Sequence, residues 1–391
     1  MKSYLRFLSR NKLYTAIEVV GLSVALAFVL IIGSYVWQEY SISRENPDYE
    51  RIYIPTQSMP YGIFEPMKEQ IPEIEKFTLV NSFDDVVMES DDERFVTRGL
   101  AVRGDFFDIF DYEFLIGDAG CLESYTDIII SESYAEKLAG KPELAMGMRI
   151  VPIDYTSQAY TVAGIIKDFD HKYWKYMDFI CKGESPLNDS AQKNPIFTLS
   201  ATAFIKVAES AYVDALGGKI QDIFRQLWGE KLNTAMIDQF TVNLGIERFD
   251  KLYFSGEMID DYLNMGDRSQ IIILLIVSLL LLVSAVINYI NLNLALTNKR
   301  AKEMATRSLV GADKAHIAVK YILESIGFTA ICSIAAAGIA LALAPYIGRI
   351  IDGQTITIPF NAASISLYIL FVVLIGGICG LIPALNISSI K

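Results

Sequence analysis

Three charged side chains at helical spacing are the residues of this chain best placed to do chemistry. Arg300, Glu303 and Arg307 fall at i, i+3 and i+7 within Asn298-Lys-Arg-Ala-Lys-Glu-Met-Ala-Thr-Arg-Ser-Leu-Val-Gly-Ala312, so a helix would carry them on one face. Ala301, Met304, Ala305 and Ser308 make a small, weakly apolar face opposite, and Gly311 supplies the left-handed position that ends a helix. The chemistry of such a face is pairing. Guanidinium and carboxylate groups held in register fix a partner surface through charge-assisted hydrogen bonds. A solvated loop that only sets membrane orientation is the alternative reading of the same run.

Catalytic chemistry has thinner support. The two histidines, His171 and His316, lie far apart, and no Cys-x-x-Cys, His-Glu-x-x-His, Gly-x-Ser-x-Gly or EF-hand spacing occurs. Gly140-Lys141 and Gly218-Lys219 lack both the upstream glycine and the following Ser/Thr of a phosphate-binding loop, so no ATPase is expected in this chain. Ser133-Tyr-Ala-Glu136 fits a capping box opening a short helix that ends near Gly140, which explains Ser131 and Ser133 better than a nucleophile would. Asp84-Asp85 and the carboxylates of 89–93 read as a solvated acidic turn, with a divalent-cation site as the alternative. No catalytic, cofactor or metal residue is therefore assigned. Cys121 and Cys181 are candidates to pair if their compartment is oxidising, whereas Cys332 and Cys379 read as packing residues.

The elements that must position these residues are membrane spans. Hydrophobic residues make up 52% of the chain beside 20% charged ones, and mean hydropathy is +0.33. The two are segregated. Residues 15–37, 271–296, 317–347 and 365–387 each run apolar for the roughly 20 residues a crossing needs. Lys2, Arg6, Arg10 and Lys12 precede the first, yet its apolar run is too long for a signal peptide and Trp37-Gln-Glu-Tyr40 reads as an interfacial belt. The basic run at 297–315 and the basic N-terminus place both termini in the cytoplasm by the positive-inside rule, leaving 38–268 outside. That segment holds 22 Lys/Arg against 41 Asp/Glu, the remainder 12 against 5. Its acidity suits a soluble exported domain and supplies a weak field for cations.

Within the spans, Glu18 lies close to the cytoplasmic end, and Lys320 and Glu324 stand four apart, so that these two can pair and snorkel. Gly376-x-x-x-Gly380 and Ala335-Ala-Ala-Gly338 offer small faces for close helix packing. The outer segment contains two strand–helix–strand units: 51–56, 63–70 and 74–80, then 202–207, 211–228 and 239–244. A strand-rich insert with strands at 95–102, 127–131, 148–152 and 160–166 lies between them, and 183–195 reads as a loop. The expected fold is an α-helical membrane protein with four transmembrane helices. A large two-lobed α+β extracytoplasmic domain is inserted between helices 1 and 2. Its boundaries are an amphipathic N-terminal helix at 1–14, span 1 at 15–37 and the outer domain at 38–268. Lobe 1 covers about 45–82 and 200–250, the insert about 83–180. The C-terminal domain covers 269–391.

The segment 298–312 resembles the coupling segment of permease subunits of MacB/FtsX-type ABC transporters, Arg-x-x-Glu-(Ile/Met)-(Ala/Gly)-x-Arg-x-x-x-Gly-Ala. Arg300, Glu303, Met304, Ala305, Arg307, Gly311 and Ala312 match it, and Glu324 matches the family's glutamate early in the third span. Leu8-Ser-Arg-Asn-Lys-Leu-Tyr-Thr-Ala-Ile17 and Gly21-Leu-Ser resemble the family's entry to its first span, and Tyr49-Glu-Arg-Ile-Tyr53 the first outer strand. Gly104-Asp-Phe-Phe-Asp-Ile-Phe110, Ile130-Ser-Glu-Ser-Tyr-Ala-Glu-Lys-Leu138 and Thr161-Val-Ala-Gly-Ile-Ile-Lys-Asp168 resemble the MacB-like periplasmic core, and Gly380-Leu-Ile-Pro-Ala384 the close of the fourth span.

The resemblance implies a multi-pass protein of the bacterial inner membrane whose periplasmic domain is moved by a separate cytoplasmic ABC ATPase. The ATPase would dock on Arg300, Glu303, Met304, Arg307 and Gly311, with the stretch 4–14 lying on the inner leaflet. It implies export of a peptide, antibiotic, lipid or lipoprotein. The alternative is mechanotransmission without transport, regulating a periplasmic partner such as a cell-wall hydrolase. It implies no cofactor and no nucleic acid. Expected partners are the ATPase, membrane lipids, a membrane-fusion protein or other periplasmic protein, and a second permease copy. Related permeases usually continue beyond the position of Lys391 into a short tail, and some carry a second copy of the whole unit. The resemblance therefore implies a first half or a truncated product, the second copy being another chain or the second half of a tandem one.

Overall fold

A computed structural model describes residues 12–90, 93–153, 159–168, 173–183, 200–209, 213–230, 237, 244–255, 262–309, 314–351 and 355–389; for 43, 45, 61, 200, 214, 295–309, 314–317 and 385–389 it describes backbone only. The stretches 4–11 and 238–243, His171 and Gly311, all singled out in the sequence, lie outside the described residues.

Along the chain run helix α1 (Lys12–Ser41), strands β1 (Ile52–Pro55) and β2 (Met59–Pro60), helix α2 (Phe64–Gln70), strands β3 (Ile74–Ser90), β4 (Glu93–Gly104), β5 (Phe114–Ile116) and β6 (Asp127–Ser131), and helix α3 (Glu132–Ala139). Strands β7 (Arg149–Pro152), β8 (Tyr160–Ile166), β9 (Phe179–Lys182) and β10 (Ser200–Val207) follow, then helix α4 (Leu216–Trp228) and strand β11 (Ile246–Arg248). The chain continues through the long helices α5 (Arg268–Leu309), α6 (Lys314–Ile351) and α7 (Ala362–Ser389). Contacts divide it into two units, Met1–Tyr40 with Arg268–Lys391, and Ser41–Asp267.

The first unit is helical because its four segments are long apolar runs with no polar break. α1, α5, α6 and α7 are each long and apolar enough to cross a membrane. α5 runs unbroken for 42 residues, carrying the basic segment through Leu309 as an extension of the second span. Residues 295–309 contain no glycine or proline and are rich in Ala, Leu, Lys, Arg, Glu and Met, so nothing in them stops the helix. Pro345 and Pro383 sit inside α6 and α7, tolerated where neighbouring groups satisfy the freed carbonyl.

The second unit is built on one eleven-stranded sheet among the described residues. The order is β11-β1-β10-β3-β4-β9-β6-β8-β5, with β2 on β10 and β7 bridging β3 and β8. Residues alternate between its faces with the period of two that a pleated strand imposes. Leu79, Ala203 and Ile205 face α2 and α4, whose Phe64, Met67, Ile220, Ile223, Phe224 and Trp228 close one core. Val80 and Phe204 face the other way, into an aromatic core of Phe106, Phe110, Trp174, Phe249 and Tyr262. A third core packs α3 on the insert through Ile128, Ile130, Tyr134, Ile150, Val162, Ile165 and Phe179.

Among the described residues the expected strands around 51–56, 74–80, 95–102, 127–131, 148–152, 160–166 and 202–207 and the helices around 63–70 and 211–228 form, but the lobes share their sheet. β3 does not stop at Val80; paired with β4 from Thr78↔Gly104 to Ser90↔Glu93, it runs through both halves. The register shifts between Phe83 and Val86, and Asp85 there takes φ 53°, so the acidic pair read as a turn is a β-bulge. Gly104 ends the hairpin at φ 91°, where a Cβ would lie 2.5 Å from the Phe77 carbonyl oxygen; only glycine fits. Four short strands, β2, β5, β9 and β11, were not expected from the sequence.

Candidate functional site

The helical backbone over Arg268–Leu309 sets Arg300, Glu303 and Arg307 at angles that share one face of α5, with Met304 about 40° round from Arg300, beside that face rather than opposite it. Their side chains lie outside the described residues. Above them, toward the membrane interior, α5 enters a polar seam. Asn293 Nδ2 donates to Glu18 Oε1 on α1 at 3.4 Å and to the Tyr289 carbonyl at 3.0 Å. The Tyr289 hydroxyl lies 3.0 Å from Ser325 Oγ on α6. Glu18, Tyr289 and Ser325 are all buried. Polar groups in hydrocarbon persist when they find partners on neighbouring helices, and these chain three helices together.

Glu324 is 7% exposed, and Lys320 Nζ approaches its Oε1 at 3.9 Å one turn away on the same helix. Gly376 and Gly380 lie against that same part of α6. A Cβ on Gly376 would come 2.6 Å from Ile326 Cα, and one on Gly380 would come 2.8 Å from Ile322 Cα and 3.0 Å from Ser325 Cβ. The structure thus gathers Glu324, Ser325, Gly376 and Gly380 at one level of α6 and α7. The Asn293 link to Glu18 was not read from the sequence. Its signal was Asn288, Asn291 and Asn293 recurring at the end of an apolar run.

In the inserted domain the side chains considered for chemistry are occupied with structure. Ser131, not Ser133, caps α3, its Oγ accepting from Tyr134 N at 3.2 Å, and Gly140 closes the helix in the left-handed conformation. Ser133 is taken by Asp168, which accepts from both its backbone N–H and its hydroxyl. The capping box expected at Ser133 is displaced by two residues because β6 runs through Ser131, leaving that residue at the extended-to-helical junction. Asp84 pairs with Arg98 at 3.3 Å and Glu89 with Arg94 at 2.9 Å. Among the described residues no cluster of three His, Cys, Asp or Glu fits a metal ion.

Cys121 and Cys181 are both free. Burial pushes the Cys181 thiol up to about 12, so it stays protonated and inert at neutral pH. Asp178 is 6% exposed and accepts from Arg98 N at 2.9 Å; desolvation nonetheless holds its carboxyl above the usual range.

Four membrane helices with an α/β domain inserted after the first define a multi-pass membrane protein of the permease type. The MacB-like periplasmic core domain matches residues 15–223, and the FtsX-like permease C-terminal domain matches residues 275–391. The chain therefore belongs to the MacB/FtsX-type permeases, whose members are normally non-catalytic subunits of ABC transporters working with ATPase partners. No curated protein matches it. Among solved structures, it is similar to a domain of a putative permease from Porphyromonas gingivalis, at 20% identity over 51% of this chain and 90% of that one, TM-score 0.41. The periplasmic region of MacB from Actinobacillus actinomycetemcomitans matches at 10% identity over 51% and 90%, TM-score 0.35. The extracellular domain of the noncanonic ABC-type transporter YknZ from Gram-positive bacteria matches at 12% over 46% and 94%, TM-score 0.33.

Proposed function

We propose that this chain is the membrane subunit of an ABC export system. A separate cytoplasmic ATPase docks on the α5 face of Arg300, Glu303 and Arg307, and its closure on ATP is converted into movement of the outer domain. The exported substrate is a peptide, antibiotic, lipid or lipoprotein met on the outer side of a bacterial inner membrane, with both termini in the cytoplasm. The observation that carries the reading is the unbroken α5. A helix that is at once a membrane span and a charged extension transmits displacement along its axis, because its hydrogen bonds lock rise to rotation. Arg300 and Arg307 lie seven residues apart on that extension, about 10 Å along the axis, which matches a contact patch on a partner rather than a single ion pair.

The test is recovery of the tagged, detergent-solubilised protein from its own host with and without a non-hydrolysable ATP analogue, followed by mass spectrometry. An ABC ATPase should co-purify with the wild type and be lost from Arg300→Glu/Arg307→Glu. Failure to recover any ATPase under crosslinking would sink the reading. A co-purifying periplasmic hydrolase with no transport would replace export by regulation.

A further inference from the structure

α6 ends at Ile351, and the last carbonyls of any helix have no partner within it. Where such a carbonyl is packed against other helices, side chains must serve in place of water. A side chain from α5 does so at Ile351, and one from α1 holds the chain just beyond. Gln270, in the first turn of α5, donates Nε2 to the Ile351 carbonyl at 3.3 Å. Gln38, one turn before the end of α1, donates Nε2 to the Thr355 carbonyl at 3.2 Å. The Gln38 Oε1 in turn accepts from Thr357 N at 3.1 Å and from Thr357 Oγ1 at 3.2 Å. One primary amide therefore grips donor and acceptor of an irregular stretch in the manner of a paired strand. Gln38 is 7% exposed and Ile356, between its two partners, 4%.

These ties have a common address. α1 leads directly into the outer domain and α5 leads directly out of it; α5 places a glutamine on the last residue of α6, and α1 places one on Thr355 and Thr357 before α7. The polar seam of Glu18, Asn293, Tyr289 and Ser325 links α1, α5 and α6 separately, nearer the basic segment. Resting on the function proposed above, we infer that Gln38, assisted by Gln270, is a positioning residue for force transmission: it fastens the outer end of the α6–α7 pair to α1, so that displacement of the pair is delivered to the outer domain.

The experiment uses the full chain with its co-purified ATPase in nanodiscs, in a Cys121→Ser background. Labels are placed at Lys141→Cys in the outer domain and Phe360→Cys in the joining stretch, both exposed positions. Gln38→Met keeps volume and removes the hydrogen bonds to Thr355 and Thr357. It should retain ATP hydrolysis near the wild-type rate while losing most of the analogue-dependent change in label distance. Independently of any ATPase, exchange at the Thr357 amide should speed by about tenfold or more as the local opening energy falls. Unchanged protection at Thr357, or a wild-type distance response, overturns the inference. Should Gln38→Met fail to assemble, Gln270→Met, which leaves α1 untouched and removes the bond to the Ile351 carbonyl, is read by the label distance alone, and a wild-type distance response there overturns the inference. A wild type that neither binds an ATPase nor responds to nucleotide refutes the proposed function instead, and the exchange measurement still judges the tie.

Discussion

Asp178 and Glu73 show how the same residue chemistry takes opposite signs in one domain. Lys219 hydrogen-bonds Glu73 and holds its carboxyl below the usual range, so that pairing stabilises the fold at neutral pH and is lost as pH falls through the lowered value. Asp178 runs the other way. Desolvation raises its carboxyl above the usual range, so its favourable contribution is complete only below the unfolded value of about 3.9 and disappears as pH climbs through the raised folded value. Asn at this position keeps an oxygen for the Arg98 N–H and carries no charge to desolvate. Asp178→Asn should therefore melt at or above the wild-type temperature at pH 8, and the difference should vanish below about pH 4. Thermal unfolding of both proteins across that pH range decides it. A variant that is clearly less stable at pH 8 would show that the charge of Lys137 or Arg98 outweighs desolvation.

The contact of α6 with α7 depends on two glycines more than on any large side chain. Backbone of α6 occupies the space where a side chain on Gly376 or Gly380 would go, so the helices cannot stay at this separation with anything bulkier. Gly376→Leu should cost about 1–3 kcal/mol, typical of overpacking, and Gly376→Ala less, measured as loss of melting temperature and folded yield in detergent. Equal stability of glycine and leucine forms would mean the helices separate freely. Much of this architecture was legible in the sequence, because long apolar runs and two-residue alternation are local signals. Lys320 and Glu324 were legible for the same reason, standing one turn apart. What escaped was non-local or short. Phe114–Ile116 and Phe179–Lys182 are too brief to show periodicity, and Asp84-Asp85 carries turn chemistry that the long β3–β4 pairing turns into a bulge. Glu18 with Asn293, and Gln38 with Thr357, are partners separated by 275 and 319 positions, and composition says nothing of which spans face each other.

At the scale of the molecule, charge is distributed as a membrane protein needs it. The acidic excess lies between the first two spans and the basic excess at the N-terminus and in 297–315. The positive-inside rule turns that distribution into an orientation, since Lys and Arg near span ends resist translocation while acidic residues count for little. Single cysteines introduced at Lys141 and at Lys302, in a Cys121→Ser background, measure it directly. Cys181, Cys332 and Cys379 are buried and should stay silent. Position 141 should react with a membrane-impermeant maleimide once the outer envelope is opened, whereas position 302 should react only after the inner membrane is permeabilised. The reverse pattern would put the Arg300 face on the wrong side for any ATPase and dismantle the coupling argument along with the topology. Reversing Lys299, Arg300 and Arg307 to Glu together, with the reporter cysteine kept at position 302, separates the two roles of that segment. If the basic run also enforces orientation, this variant should label at 302 in a measurable fraction of molecules before the inner membrane is permeabilised. A variant that keeps its orientation but loses the ATPase would assign those charges to docking alone, leaving the N-terminal basic residues to hold the chain in place.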